Sequence, residues 1–183
     1  VKAVESWLGI DITERAKIMR VILSEFFRVQ DHLVCIAANL VDMGGLTNYW
    51  YLYNEKEASY DFISRLTGAR LTSSFTRIGG MYRDFYEGWQ GDLEFQLKAI
   101  EKGVADSLAL VLQNRIVHDR TQGTCVLPAE TALSYGFTGP NLRASGVAYD
   151  LRKDNPYYHY ESFDFTIPVG SKGDIYDRMM VRF

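Results

Sequence analysis

The feature that most limits what this chain can become is a stripe of apolar residues at Ile18, Ile22, Leu23, Phe26, Val29, Leu33, Ile36, Ala37 and Leu40. Spacings of three and four place these side chains on one face of an α-helix. The stripe runs for about 28 residues before Gly44 and Gly45 stop it, which is long for a globular helix. One helix cannot bury its own apolar face, so the chain must supply partners along most of that length. With 183 residues, 47% of them hydrophobic, it has the material for one sizeable core.

The other segments read as those partners. VKAVESWLG is the end of a helix closed by Gly9, and Asp11 with Glu14 resembles a capping box opening the long helix. A third helix is predicted from about Asn48 to Leu66, closed by Gly68. ARLTSSFTRIGGMYRD is a connection centred on Gly79 and Gly80. A fourth helix covers Gly88 to Asn114, with Leu93, Leu97, Ile100, Val104, Leu108, Val111 and Leu112 on one side. PAETALSY reads as a short helix with Pro128 at its first position. Beyond Gly136 the periodicity fades, and FDFTIPVG alternates like a strand. The predicted fold class is mainly α. A bundle of long helices fills residues 1–135, a loop-rich, partly extended region fills 136–183, and both belong to one partial domain over 1–183. Val1 starts inside an apolar-periodic segment without Met and YDRMMVRF ends without a polar tail, so the chain reads as truncated at both ends.

Composition removes several classes of function. The net charge of −3 comes from 20 basic and 23 acidic residues that are well mixed. No basic stripe marks a nucleic-acid face. Cys35 and Cys125 form no CxxC pair, which excludes a zinc ribbon and points to a reducing compartment. No stretch reaches the roughly 18–20 apolar residues needed to cross a bilayer, and no signal peptide is present. Work at a membrane would be done from outside the lipid. Tyrosine is abundant, suiting surfaces that are apolar yet hydrogen-bonded.

Chemistry-bearing residues are few. His32 and Cys35 share a helix face, but no further ligands lie nearby, so a satisfied interior His and a buried Cys are expected and no metal is predicted. G-x-S-x-G, a catalytic triad and phosphate-binding glycine loops are all absent. What remains is charge embedded in apolar sequence. Arg28 and His32 lie four apart, with Glu25 one turn earlier. Asp42 sits at the helix C-terminus, where the dipole disfavours a carboxylate unless a donor or cation compensates. It is either a solvated terminal residue or a carboxylate held for proton handling. Arg77 flanks a double glycine. Arg115, Asp119 and Arg120 are either surface ion pairs of little worth or forks for an interface. Finally, FTGPNLRASGVAYDLRK puts Arg143, Asp150 and Arg152 in a glycine-broken, half-apolar loop.

Taken together, ERAKIMRVILSEFFRVQDHLVCIAANLVDMGGLT, LTGARLTSSFTRIGG, NRIVHDRTQG, SGVAYDLRK and VGSKGDIYDR resemble, in order and over essentially the whole chain, one family. It is the D-type, or 49-kilodalton-type, subunit of respiratory complex I, the NADH:quinone oxidoreductase, and is related to the large subunit of nickel–iron hydrogenases. The resemblance implies a hydrogenase large-subunit-like fold and a core subunit of a proton-pumping enzyme. It also implies a peripheral membrane location, on the cytoplasmic face of a bacterial inner membrane or the matrix face of a mitochondrial one. Its partners would be the B-type iron–sulfur subunit, the C-type subunit and the membrane arm. This chain would bind no cofactor of its own: quinone is the substrate, the iron–sulfur cluster belongs to the partner, and NADH binds elsewhere in the complex.

By the same resemblance, Asp42 matches the aspartate that pairs with a quinone-site histidine and handles protons. Val34, Ala38 and Leu46 would line the quinone cavity. Arg77 matches the arginine of F-x-R-x-G-G near the iron–sulfur partner, and Arg143, Asp150 and Arg152 match a structural or interface block. The family's quinone-binding histidine and tyrosine would lie upstream of Val1. Leu46 and Asn48 stand where the family often has methionine and proline, and Cys125 where a glycine-like residue is common. The alternative is a scaffold or assembly module of a hydrogenase-related membrane-bound complex with no direct catalytic role.

Overall fold

The computed structural model describes all 183 residues and is mainly helical. The long stripe becomes α2 (Glu14–Asp42), 29 residues long and about 43 Å from end to end. A short helix, α1 (Lys2–Leu8), precedes it and closes on Gly9. The start of α2 differs from the sequence expectation. Its cap is Thr13, whose hydroxyl accepts from the Ala16 N–H, while Asp11 accepts from its neighbour Ile12 and pairs with Lys17 at 3.3 Å without capping the helix. At the other end Gly45 turns back so tightly that its N–H donates to the Leu40 carbonyl at 2.7 Å. A Cβ there would lie 3.0 Å from that oxygen. The turn launches α3 (Leu46–Thr67) directly from the end of α2.

Between α3 and α4 (Trp89–Leu112), the glycine-centred connection forms a small antiparallel hairpin, β1 (Thr76–Arg77) with β2 (Gly80–Met81), in the register Thr76↔Met81 and Arg77↔Gly80. Of the three long helices α3 is the middle one, packed along both α2 and α4. The core gathers Leu23, Phe26, Leu33, Ile36 and Leu40 of α2 against Leu52, Phe62, Ile63 and Leu66 of α3. Phe26 and Phe62 meet with ring centroids 5.1 Å apart. The α2 stripe enters as expected except at its start, where Met19 is buried and Ile18 is exposed.

The fourth helix differs more. Its buried face is Gln96, Ile100, Gly103, Ser107 and Val111, whereas Leu97 and Leu112 of the predicted stripe are exposed. Small residues let the two backbones approach. Asn48 of α3 donates to the Ser107 carbonyl and hydroxyl, and Glu55 presses where Gly103 has no Cβ. The helix also stops earlier than expected, and Asn114 starts α5 (Arg115–Thr121) by accepting from two backbone N–H groups.

Past α5 come only short helices: α6 (Ala129–Ser134), α7 (Gly139–Ala144), α8 (Leu151–Asp154), a 3₁₀ turn at Tyr160–Ser162, and α9 (Ile175–Met180). Pro128 caps α6 from just outside its first turn. FDFTIPVG forms no strand. No strand lies beside it to receive its backbone groups, and its alternation instead lays Phe165 beneath the guanidinium of Arg152, 4.6 Å from the ring centre. No helix is long and apolar enough to cross a membrane.

Candidate functional site

The sequence-predicted residues fall into three groups strung along α2. At its C-terminal end, Val34, Ala38 and Asp42 are spaced by four and therefore share one face, rotated away from the buried Leu33, Ile36, Ala37 and Leu40. Val34 is half-buried; Ala38, Asp42 and Leu46 are exposed, Leu46 at 57%. Asp42 has no side-chain hydrogen bond and no ion pair within this chain. Compensation at this helix end comes from elsewhere: Arg120 of α5 donates to the Met43 carbonyl at 3.1 Å. Arg115 and Asp119 form an exposed pair, worth little.

Near the start of α2 lies a buried ion pair that sequence reasoning missed. Arg20 makes two short bonds to Glu5 of α1, at 2.7 and 2.8 Å. The same guanidinium donates to the carbonyls of Arg77 and Gly80 and to the Tyr158 hydroxyl, and Glu5 accepts from the Gly79 N–H. The hairpin carrying Arg77 is thereby clamped to the long helix. The Arg20 hydrogen bond holds the Glu5 carboxyl down at about 2, against the opposing effect of burial. Arg77 itself is exposed and stacks on Tyr82, 4.3 Å from the ring centre. The available signal was Arg20 inside the apolar arc Met19–Leu23, a place a charge occupies only with a partner.

The middle of α2 receives the glycine-broken loop. Arg152 grips Asp150 through Nε at 3.0 Å and Nη2 at 2.7 Å, and reaches Glu25 of α2 at 2.9 Å. Arg143 faces the same carboxylate at 3.4 Å, and all three residues of the block are largely buried. Asp150 also accepts the Arg152 N–H, starting α8. These donors hold its carboxyl at about 2, Arg152 foremost. Burial and the neighbouring Glu25 carboxylate, to which it donates at 2.6 Å, push the Tyr160 hydroxyl well above the usual tyrosine range. Glu25 and Tyr160 complete a network of which the sequence displayed only three members.

The remaining candidates separate. His32 lies in an arginine-lined cleft with Arg28, whereas Cys35 lines a different, smaller cavity. Burial, and after it Arg28 and Arg182, pushes the His32 imidazolium toward its neutral form. No three His, Cys, Asp or Glu side chains cluster as a metal site would need. Cys125 adopts φ 51°, the left-handed backbone that glycine accepts at no cost. Its exposed side chain fills no tight space, so the glycine-like character of this position is conformational.

Asp42 is about 15 Å along α2 from His32, since the rise is about 1.5 Å per residue. The chain therefore offers a lone carboxylate on a partly apolar, outward helix face, an anchored arginine hairpin, and a buried charge network between them.

The family model described as respiratory-chain NADH dehydrogenase, 49 kDa subunit, matches residues 42–183. The fused C/D-type subunit of NADH-quinone oxidoreductase from Bdellovibrio bacteriovorus is 47% identical over the whole chain, which covers 32% of that relative. The D-type subunit of the same enzyme from Myxococcus xanthus is 48% identical, again over the whole chain and 44% of its own length. Its counterpart from Methylacidiphilum infernorum is 47% identical over 98% of the chain and 43% of the relative. The chain spans less than half the length of the curated relatives it matches. With the family model covering most of its residues and this identity running from end to end, the chain belongs to the family of the 49 kDa subunit of the respiratory-chain NADH dehydrogenase.

Proposed function

We propose that this chain is part of a quinone-site core subunit of a proton-pumping NADH:quinone oxidoreductase, and that the outward face at the end of α2 is one wall of the quinone-reduction cavity. The observation that carries this reading is Asp42, an exposed carboxylate without any partner in its own chain, set on a face with Val34, Ala38 and the exposed Leu46. Apolar walls accept a planar, largely apolar headgroup, and one carboxylate among them can pass a proton during its reduction. The relatives are named as parts of an NADH-quinone oxidoreductase, in accord with such a role. Electrons would arrive from NADH through clusters held by other subunits, the last of them in the B-type iron–sulfur subunit. Asp42 would serve a histidine contributed by a part of the protein upstream of Val1. The rest of the cavity, a hydrogenase-like frame, contacts with the C-type subunit and the membrane arm, and a place on the cytoplasmic face of the membrane belong to the same proposal.

The test is Asp42→Asn in the full-length protein within its complete assembly. We expect NADH-driven quinone reduction to fall at least about a hundredfold, the low end for a lost acid–base group, with the same set of subunits on a native gel. Wild-type turnover in a correctly assembled variant removes the proton role. The competing reading is a scaffold without catalytic residues, favoured by the burial of the Arg143–Asp150–Arg152 network. Under it Asp42→Asn is silent, while Arg143→Ala prevents assembly.

A further inference from the structure

A second feature of α2 has no place in that reading. Between its middle and the C-terminal third of the chain opens a cleft of about 460 Å³. Its wall carries four guanidiniums, those of Arg28, Arg143, Arg152 and Arg182, against two carboxylates, Asp31 and Asp150. With His32 neutral the wall is two charges positive, and it remains positive when Glu25, bonded to Arg152 from behind, is counted as well.

The carboxylates do not satisfy these cations. Asp150 is taken up by Arg152, which makes three bonds to it, and by Arg143. Arg28 has only Glu25, at 3.7 Å. Arg182 has no carboxylate within ion-pair distance and donates only to the Arg178 carbonyl and the Asn141 side chain. Arg143 is 3% exposed, yet its Nε has no partner at all. A buried, unpaired guanidinium nitrogen is costly and is retained where something else completes it.

The guanidiniums also act on one another. Burial first, and after it Arg28, Arg152 and Arg182, disfavour the charged form of Arg143 against the opposing pull of Asp150. Arg28 and Arg182 act likewise on His32. Like charges lining one cleft are kept there by the fold, and a counter-charge between them would relieve them together.

We propose that this cleft is a binding site for a phosphate-type oxyanion, gripped by Arg28 and Arg182 and backed by Arg143. Three rigid forks reach it from three separate elements: α2, α7 and the chain's last turn. A planar carboxylate satisfies one fork in bidentate fashion, whereas a tetrahedral phosphate offers oxygens to several at once. Inorganic phosphate and the phosphomonoester headgroup of an acidic lipid share this chemistry.

The experiment uses the full-length protein in the assembly with which it purifies, in phosphate-free detergent solution at constant ionic strength set with chloride. Inorganic phosphate is titrated and the thermal denaturation midpoint followed; a parallel titration uses short-chain phosphatidic acid. We expect a saturable rise in the midpoint that chloride does not reproduce. Arg28→Gln and Arg182→Gln should each raise the half-saturating concentration at least tenfold. A tighter response to the lipid than to inorganic phosphate identifies a headgroup source, and equal responses identify the free ion. No shift with either probe overturns the proposal, as does a shift that the variants leave unchanged. If the glutamine variants fail to assemble while the wild type ignores both probes, the wall seats an acidic segment of a neighbouring protein and the oxyanion site is refuted. If they fail to assemble while the wild type responds, Arg28→Lys decides: it keeps the charge and loses the fork, so its response should weaken, and an unchanged response overturns the assignment.

Discussion

Asp150 shows how much a single carboxylate can organise. It accepts from two nitrogens of the Arg152 guanidinium and from the Arg152 backbone, faces Arg143, and opens α8. Its carboxyl sits at about 2 when folded, below the ordinary aspartate value of about 3.9. The folded state therefore binds fewer protons than the unfolded one in this interval, and stability rises with pH there. Asp150 contributes in full above about pH 5, and the contribution is lost as pH falls toward the folded value. Replacing it by Asn leaves two buried arginines short of a partner and should cost about 3 kcal/mol at neutral pH. Unfolding midpoints of wild type and Asp150→Asn, measured from pH 7 downward, should converge as the native carboxyl protonates. A constant gap down to pH 2 contradicts the assignment. Gly173 is constrained by backbone instead. It holds φ 66°, and a Cβ there would lie 2.2 Å from the Leu127 carbonyl oxygen, to which no flexible side chain can yield. Its N–H and carbonyl bond Ala144 and Leu127, tying the VGSKGDIYDR segment to α7. Gly173→Ala should destabilise by at least about 2 kcal/mol, combining left-handed strain with displaced backbone, and chemical denaturation reads this directly.

Elements differ in how far the sequence announced them. α2 was legible because its period repeats over eight turns and packing obeys it, and α3 because glycine punctuation encloses it. α4 formed where expected and packed most of its predicted stripe inward, but Leu97 and Leu112 face out and Gln96, Gly103 and Ser107 share the buried face. Leucines mark apolarity, whereas the crossing with α3 is decided by how closely backbones approach, which Gly103 and Ser107 allow. The short helices beyond Gly136 were illegible for another reason: four to six residues carry no period. α8 and α9 exist because Asp150 and Asp174 cap them, and Asp174 also accepts from the distant Gly123 N–H. The Arg77 hairpin is similar, two residues per strand held by Arg20 and Glu5. Asp42, Val34 and Arg77 could be picked out as residues, but the clamp and the Glu25–Tyr160 extension join positions more than a hundred residues apart or pair charges unseen in any local pattern. Arg20→Met should cost about 3–5 kcal/mol, because Glu5 is left as an unpaired buried charge. It should also speed hydrogen exchange at the Gly79 amide far more than at amides of α3. Uniform acceleration across both would show that the hairpin is held by something else.

At the scale of the whole molecule, the apolar surface is the notable feature. Trp50 and Tyr51 of α3 stand exposed beside Tyr49 and Tyr53, along a groove of about 860 Å³. Phe95, Leu110, Leu112 and Ile116 also protrude, from α4 and α5, Phe95 at 75% exposure. Scattered apolar residues are normal on a surface, but aromatic side chains collected in a groove and leucines along a helix edge are patches of the kind interfaces cover. Faces of this kind suit burial against further protein, and the chain spans less than half of its relatives' length. These patches contribute little to the fold's own stability, because burying them requires a partner. The isolated 183-residue chain should therefore self-associate in a concentration-dependent way, visible by sedimentation velocity. Replacing Leu112 and Ile116 by Gln should reduce the association while moving the unfolding free energy by no more than about 0.5 kcal/mol per site, as for other exposed positions. Association that persists unchanged in the double variant assigns it to the α3 groove, where Trp50→Ser is the matching test. A chain that stays monomeric at all concentrations would mean that these patches are compatible with water, and the case for their being covered in the assembly would fall with it.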